Sequence, residues 1–212
     1  MNPMNEVVFR IIFGLSWLFY FGLRLYFQRL VKGVGKYTLT NEKQEKIFFR
    51  LFALAYMLLP LYFITPWIDF AHVSIPIWLR WAGLILTWAG IALFAWTHLT
   101  LGVNWTAVLA IAEKHELVTN GPYRYVRHPM YSAFFVIGFG FLFFSANWLV
   151  GVIYLGALLL MYMTRVSAEE QMLLERFGES YRQYMKTTGR ILPKSLPTPR
   201  RPDARRQISD RK

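Results

Sequence analysis

The sequence predicts an all-α integral membrane protein: five transmembrane helices, the last two forming a helical hairpin, plus a cytosolic C-terminal helix and no Rossmann domain. Three observations predict it. Hydrophobic residues make up 55% of the 212 residues and charged residues only 17%, with a mean hydropathy of +0.31, outside the soluble norm. Several runs approach the ~20 apolar residues that a helix needs to cross a bilayer. The cations are sorted by side: half of the Lys and Arg follow Met163, and much of the remainder crowds one loop around Arg29, Lys32, Lys36, Lys43 and Lys46.

Taken in order, the first span is predicted over Val7–Phe27, with Arg10 and Arg24 near its ends to snorkel toward headgroups. No short apolar region with a small-residue cleavage site precedes it, so it reads as retained. The second span is predicted over Ile47–Ile64, with Pro60 as a kink or early end. The third is Ile77–Thr97. Leu99–Tyr131 is too polar to cross. Tyr131–Met163 is too long for one span, and Ser145-Ala146-Asn147 divides it into two short helices. A water-exposed helix is expected from Ala168 to about Met185, then a Pro-rich basic tail with too little apolar content to order itself.

With five spans, the three Lys/Arg-bearing segments share one side, and the loops around Asp69 and Asn147 share the other. The positive-inside rule makes the first side cytoplasmic and the N-terminus external. The chain divides into residues 1–97, three helices with a basic cytosolic loop; 98–193, a core of connector, hairpin 131–163 and C-terminal helix; and the tail 194–212.

Composition also excludes chemistry. With no cysteine, there is no disulfide frame, thiolate metal site or cysteine nucleophile. His72, His98, His115 and His128 lack paired-ligand spacing, so no metal is expected. A haem between His98 and His128 is disfavoured because both lie at the membrane boundary. The net charge of +12 follows membrane sidedness, which points to the lipid bilayer as partner and away from nucleic acid. Neither a nucleophile elbow nor a dinucleotide-binding glycine motif occurs.

The stretch Asn120–Tyr131 concentrates polar, cationic and aromatic groups against an apolar run. Asn-Gly-Pro signals a turn, and Pro129 suits the first turn of a helix. Arg127 and His128 are thereby expected at a helix mouth beside unpaired N–H groups, a seat for an anionic group. The plainer reading is an interfacial anchor of Arg and Tyr. A hairpin turn at Ala146 sets His128 level with Thr164, so Arg127 and His128 face Arg165, Glu169 and Glu170 across one cytoplasmic pocket. For the two glutamates the plainer reading is a solvated helix face, and Arg165 and Glu169 have the spacing of a simple helical pair.

Leu101-Gly102-x-Asn104-Trp105, Leu117-Val118-x-x-Gly121-x-Tyr123, Arg127-His128-Pro129-x-Tyr131, and Glu169-Glu170 followed by Phe177-Gly178-x-x-Tyr181 resemble, in order and spacing, the isoprenylcysteine carboxyl methyltransferase family and its phospholipid methyltransferase relatives. The resemblance covers roughly His98–Pro193. It implies S-adenosylmethionine as methyl donor, S-adenosylhomocysteine as product, and a lipophilic methyl acceptor entering from the bilayer. Cofactor-binding residues are then expected among Asn104, Trp105, Leu117, Val118, Tyr123, Arg127, His128, Tyr131, Glu169 and Glu170. Arg165, Glu170 and Arg190 are the catalytic candidates, with an arginine orienting a carboxylate acceptor or Glu170 deprotonating an amine. A phospholipid amine or a small thiol remain alternative acceptors. A non-enzymatic membrane adaptor or small transporter is the competing class, and the acceptor and oligomeric state stay open.

Overall fold

A computed structural model describes residues 3–30, 50, 52–102 and 117–194. The described residues form helices α1 (Pro3–Leu30), α2 (Phe52–Ile64), α3 (Ile77–Leu101), α4 (Pro129–Ser145), α5 (Trp148–Phe177) and α6 (Glu179–Thr187). Short 3-10 turns occupy Asp69–Ala71 and Gly121–Arg124. α1, α3 and α5 are each long and apolar enough to cross a membrane, and α2 and α4 are shorter apolar helices.

The core is built from aromatic side chains. On α1, Phe9, Phe13, Trp17 and Tyr20 recur every three or four residues and are buried, while Ile11, Leu15 and Leu18 on the opposite side are exposed. That is one inward stripe at helical period backed by an apolar face suited to lipid. Glycines let α3 and α4 approach backbone to backbone. A Cβ on Gly90 would sit 2.6 Å from Ile137 Cγ1, and one on Gly140 would strike Thr87. Small residues at such crossings are the means by which helices associate where lipid removes the hydrophobic incentive.

Several expectations change. Pro60 does interrupt α2, leaving Leu61–Ile64 as a separate last turn; Ile47–Phe49 and Leu51 lie outside the described residues. The turn after α4 falls where Ser145-Ala146-Asn147 predicts it. Ala146 is left-handed at φ 50°, and the Asn147 side chain caps α5 by accepting from the Leu149 and Val150 N–H groups. Yet the helix that follows is not short. α5 runs 30 residues through Ser167 without a break, because nothing between Met163 and Phe177 stops a helix and its buried face continues through Met161, Arg165, Val166 and Glu170. The break comes instead at Gly178, with φ 54°, so the exposed helix predicted over Ala168–Met185 is the end of α5 plus α6. At ~1.5 Å per residue α5 is ~45 Å long, well beyond a ~30 Å hydrocarbon core. Its turns past Met163 therefore project out of the apolar layer.

Three of the arginines near helix ends meet protein partners. Arg80 is wholly buried, bonded to Glu6, Tyr62 and the Phe144 carbonyl, and its guanidinium lies 3.9 Å from the Phe9 ring centroid. Arg10 pairs with Glu6 and Asp69. Arg24 turns inward over Phe52 and Phe134. The tail from residue 195 and most of the basic loop lie outside the described residues.

Candidate active site

The site begins at the Asn120-Gly121-Pro122 turn. Gly121 has φ 53° and is tucked against Thr100, a conformation that disfavours other residues. The 3-10 turn then leads through Val126, Arg127 and His128 to Pro129, which opens α4. A second segment pairs with them. Val126 forms a parallel bridge with Gly189, and the N–H groups of Arg127 and His128 each donate to a carbonyl, Gly189 and Arg190 respectively, at 2.8 Å. Ser132 Oγ donates to the Ile191 carbonyl at 2.7 Å, and the Tyr184 hydroxyl to that of Tyr123 at 2.5 Å. The expected row of unpaired N–H groups at the helix mouth is thus already occupied at Arg127 and His128. Sequence spacing could not show this, because the partner strand comes from some sixty residues away.

Charge converges on Glu170, which is buried in the C-terminal part of α5. Its Oε1 accepts from Arg127 Nε at 2.9 Å and faces His128 Nε2 at 3.4 Å, while Oε2 accepts from Arg190 Nε and Nη2 at 3.0 and 2.7 Å. Arg127 also donates to the Met185 and Thr188 carbonyls. Beside it, Glu169 accepts from the Tyr131 hydroxyl at 2.9 Å, faces His128 Nδ1 at 3.3 Å, and lies 3.9 Å from Arg165. α4, α5 and the Thr188–Ile191 segment are locked together by one network.

Both ring nitrogens of His128 therefore face carboxylates. Burial disfavours the imidazolium, but bonds to Glu169 and Glu170 outweigh it and raise the pKa above 6.5. For Glu170 burial likewise opposes the charge, yet His128, Arg190 and Arg127 hold its carboxyl down to about 2. Glu169 is also lowered against the cost of burial, chiefly by His128.

Of the sequence-predicted residues, the structure brings together Arg127, His128, Tyr131, Arg165, Glu169, Glu170 and Arg190. Tyr123 stands one shell away, tied through its carbonyl to Tyr184. Leu117 and Val118 are half-buried in the irregular lead-in to the turn, and Asn104 and Trp105 lie outside the described residues. The sequence reading missed three contributors. Ser132 fastens the C-terminal segment, and Tyr162 meets the Tyr131 ring edge-on with centroids 5.4 Å apart. Tyr181 is 1% exposed and close enough to Glu170 and Arg127 to feel their charge, and its hydroxyl has no hydrogen-bond partner among the described residues. Its place in the Phe-Gly-x-x-Tyr pattern was the available signal.

Comparison with known proteins bears on this geometry. Residues 83–175, which carry α3 through the Glu169-Glu170 pair, match the model of the isoprenylcysteine carboxyl methyltransferase family. Over that stretch the chain is similar to this family. Rat protein-S-isoprenylcysteine O-methyltransferase is 31% identical over 139 residues, which are 61% of this chain and 49% of the rat protein. An Arabidopsis thaliana form, protein-S-isoprenylcysteine O-methyltransferase B, is 28% identical over 156 residues, covering 73% of this chain and 77% of the plant protein. A solved structure of the eukaryotic intramembrane Ras methyltransferase of the family superposes with a TM-score of 0.51 at 26% identity, covering 74% of this chain and 54% of that one. The chain spans about half or less of the animal relatives it matches. The chain is an all-helical, integral multi-pass membrane protein.

Proposed function

We infer that the protein is an S-adenosylmethionine-dependent methyltransferase that esterifies the carboxylate of a lipophilic, isoprenylcysteine-type acceptor at the cytosolic end of α4 and α5. The observation that carries this reading is the Glu169–Glu170 cluster, built from the residues by which the chain resembles the family.

The residues suit the cofactor. Its chemistry is a methyl group made electrophilic by a sulfonium. Glu169, a quarter exposed, presents the anion for an ammonium or ribose hydroxyls, and Arg190, about half exposed, a cation for a carboxylate. The Tyr131 and Tyr162 rings offer faces that attract a sulfonium. The orphaned Tyr181 hydroxyl supplies a buried donor. Arg127 and Glu170 spend most of their hydrogen-bonding capacity on each other and on the backbone, so they position the site, whereas Glu169, Arg190 and Arg165 are the groups nearest to serving ligands.

A carboxylate is already a nucleophile, so its esterification needs no base. An amine acceptor would need one, and Glu170, held at about 2, is a poor proton acceptor at neutral pH. This favours a carboxylate over a phospholipid amine. The chain's part in the reaction is then to orient the acceptor and exclude water. Five spans, with α2 and α4 crossing as well, an external N-terminus and residues 98–193 as the catalytic core complete the reading.

Calorimetry with S-adenosylhomocysteine tests it. Wild type should bind saturably, and Glu169→Gln at least tenfold more weakly. A folded wild type that does not bind would overturn the assignment.

A further inference from the structure

A further polar cluster lies within the helical bundle. Tyr20 and Arg24 stand one turn apart on the inward face of α1, and the Arg24 guanidinium lies 5.4 Å from the ring centroid of Phe52 and 5.9 Å from that of Phe134. Tyr56 of α2 and Tyr154 of α5 complete the group. The three tyrosines are 0, 4 and 0% exposed; the Tyr20 hydroxyl lies within interaction reach of Tyr154 and Arg24, and the Tyr56 hydroxyl has no hydrogen-bond partner among the described residues. All three lie close enough to Arg24 to feel its charge. No carboxylate pairs with Arg24 among the described residues.

An orphaned buried hydroxyl costs about 1–3 kcal/mol, and an ionisable residue within a membrane helix ordinarily marks a ligand path. One such hydroxyl, two more buried beside it and an arginine converge here from three helices. Their chemistry is a cation ringed by O–H donors, which matches an anionic oxygen group with several lone pairs. Their surroundings, Phe52, Phe134 and Phe94, are apolar and suit a ligand whose remainder is hydrocarbon. The register ties the cluster to the site. Phe134, under Arg24, is three residues, or about 4.5 Å, deeper along α4 than Tyr131, whose hydroxyl binds Glu169.

We propose that Arg24, Tyr20, Tyr56 and Tyr154 form the subsite that binds the acceptor's carboxylate as it comes from the bilayer toward the Glu169 cluster. The assignment rests on the methyltransferase reading above and deepens it. It also accounts for product release: esterification removes the negative charge, so the neutral ester loses its pairing with Arg24.

The test uses the full chain in lipid nanodiscs saturated with S-adenosylhomocysteine, titrated with N-acetyl-S-farnesylcysteine and with its methyl ester. Wild type should prefer the acid at least tenfold. Arg24→Gln should abolish that preference by weakening the acid alone, with ester and S-adenosylhomocysteine affinities unchanged, and Arg24→Lys should restore part of it. Tyr154→Phe should weaken the acid several-fold, which keeps the test sharp if Arg24→Gln does not fold. Retained preference in both Arg24→Gln and Tyr154→Phe, or equal loss of acid and ester, overturns the subsite while leaving the methyltransferase reading intact. A wild type that binds S-adenosylhomocysteine but neither binds nor methylates the acid overturns the carboxylate acceptor and the subsite with it.

Discussion

Glu169 and Glu170 are adjacent, yet about 100° of helical rotation gives them different work. Glu170 is buried and holds Arg127, His128 and Arg190; removing its charge strands cations in a dry site, a loss of about 3–5 kcal/mol by analogy with broken buried pairs. Glu170→Gln should therefore lower the unfolding midpoint sharply, as well as cofactor-product affinity, whereas Glu169→Gln, which gives up longer and more exposed pairs, should reduce affinity with a smaller fall in midpoint. Thermal unfolding beside calorimetry separates the two. The network also sets a pH window. The pKa of His128 is raised above 6.5 in the folded state, so its stabilisation is complete below that value and is lost as pH rises through the raised one. Glu170 is lowered from 4.5 to about 2, so its contribution is present above 4.5 and is lost as pH falls toward 2. The unfolding midpoint should decline on both flanks, and His128→Gln should flatten the alkaline flank and move the acid flank to higher pH, because His128 helps hold both glutamates down.

Among the elements, the junction between α5 and α6 matters most, because it aims the Met185–Ile191 segment at Arg127. Gly178 makes that junction at φ 54°, and Gly178→Ala adds strain on the order of 1–3 kcal/mol. The expected result is weaker S-adenosylhomocysteine binding with helix content preserved by circular dichroism. At the α3–α4 crossing, Gly90→Leu drives a side chain into Ile137 and should cost about 1–3 kcal/mol, read as a lower unfolding midpoint. The helices were legible in sequence because hydropathy, Pro60, Pro129 and Ser145-Ala146-Asn147 are local signals. The length of α5 was not, since loss of hydropathy after Met163 marks the end of an apolar layer rather than the end of a helix. Arg127, His128, Glu169 and Glu170 could be placed together because a hairpin fixes their level. The pairing of Val126–His128 with Gly189–Arg190 could not, being a long-range backbone contact with no residue pattern of its own. Nor could the inward turn of Arg24, because a cation near a helix end serves equally as anchor or as ligand group.

At the scale of the molecule, two polar assemblies sit at opposite ends of an aromatic bundle. One is the Glu6–Arg80–Tyr62 network joining α1, α2 and α3; the other is the Glu170 cluster joining α4, α5 and the C-terminal segment. In the five-span arrangement proposed above, only the second assembly faces the cytosol. The absence of native cysteine makes the topology directly testable: in inside-out and right-side-out vesicles, Ser74→Cys and Lys186→Cys should react with a membrane-impermeant maleimide from opposite sides. The most direct test of function is transfer of labelled methyl from S-adenosylmethionine to N-acetyl-S-farnesylcysteine by the purified protein, followed by mild alkaline hydrolysis. A carboxyl methyltransferase releases the label as methanol, at a rate that Glu169→Gln depresses at least tenfold. Label that stays on the product through alkali, or no transfer by a protein that binds S-adenosylhomocysteine, would contradict the account.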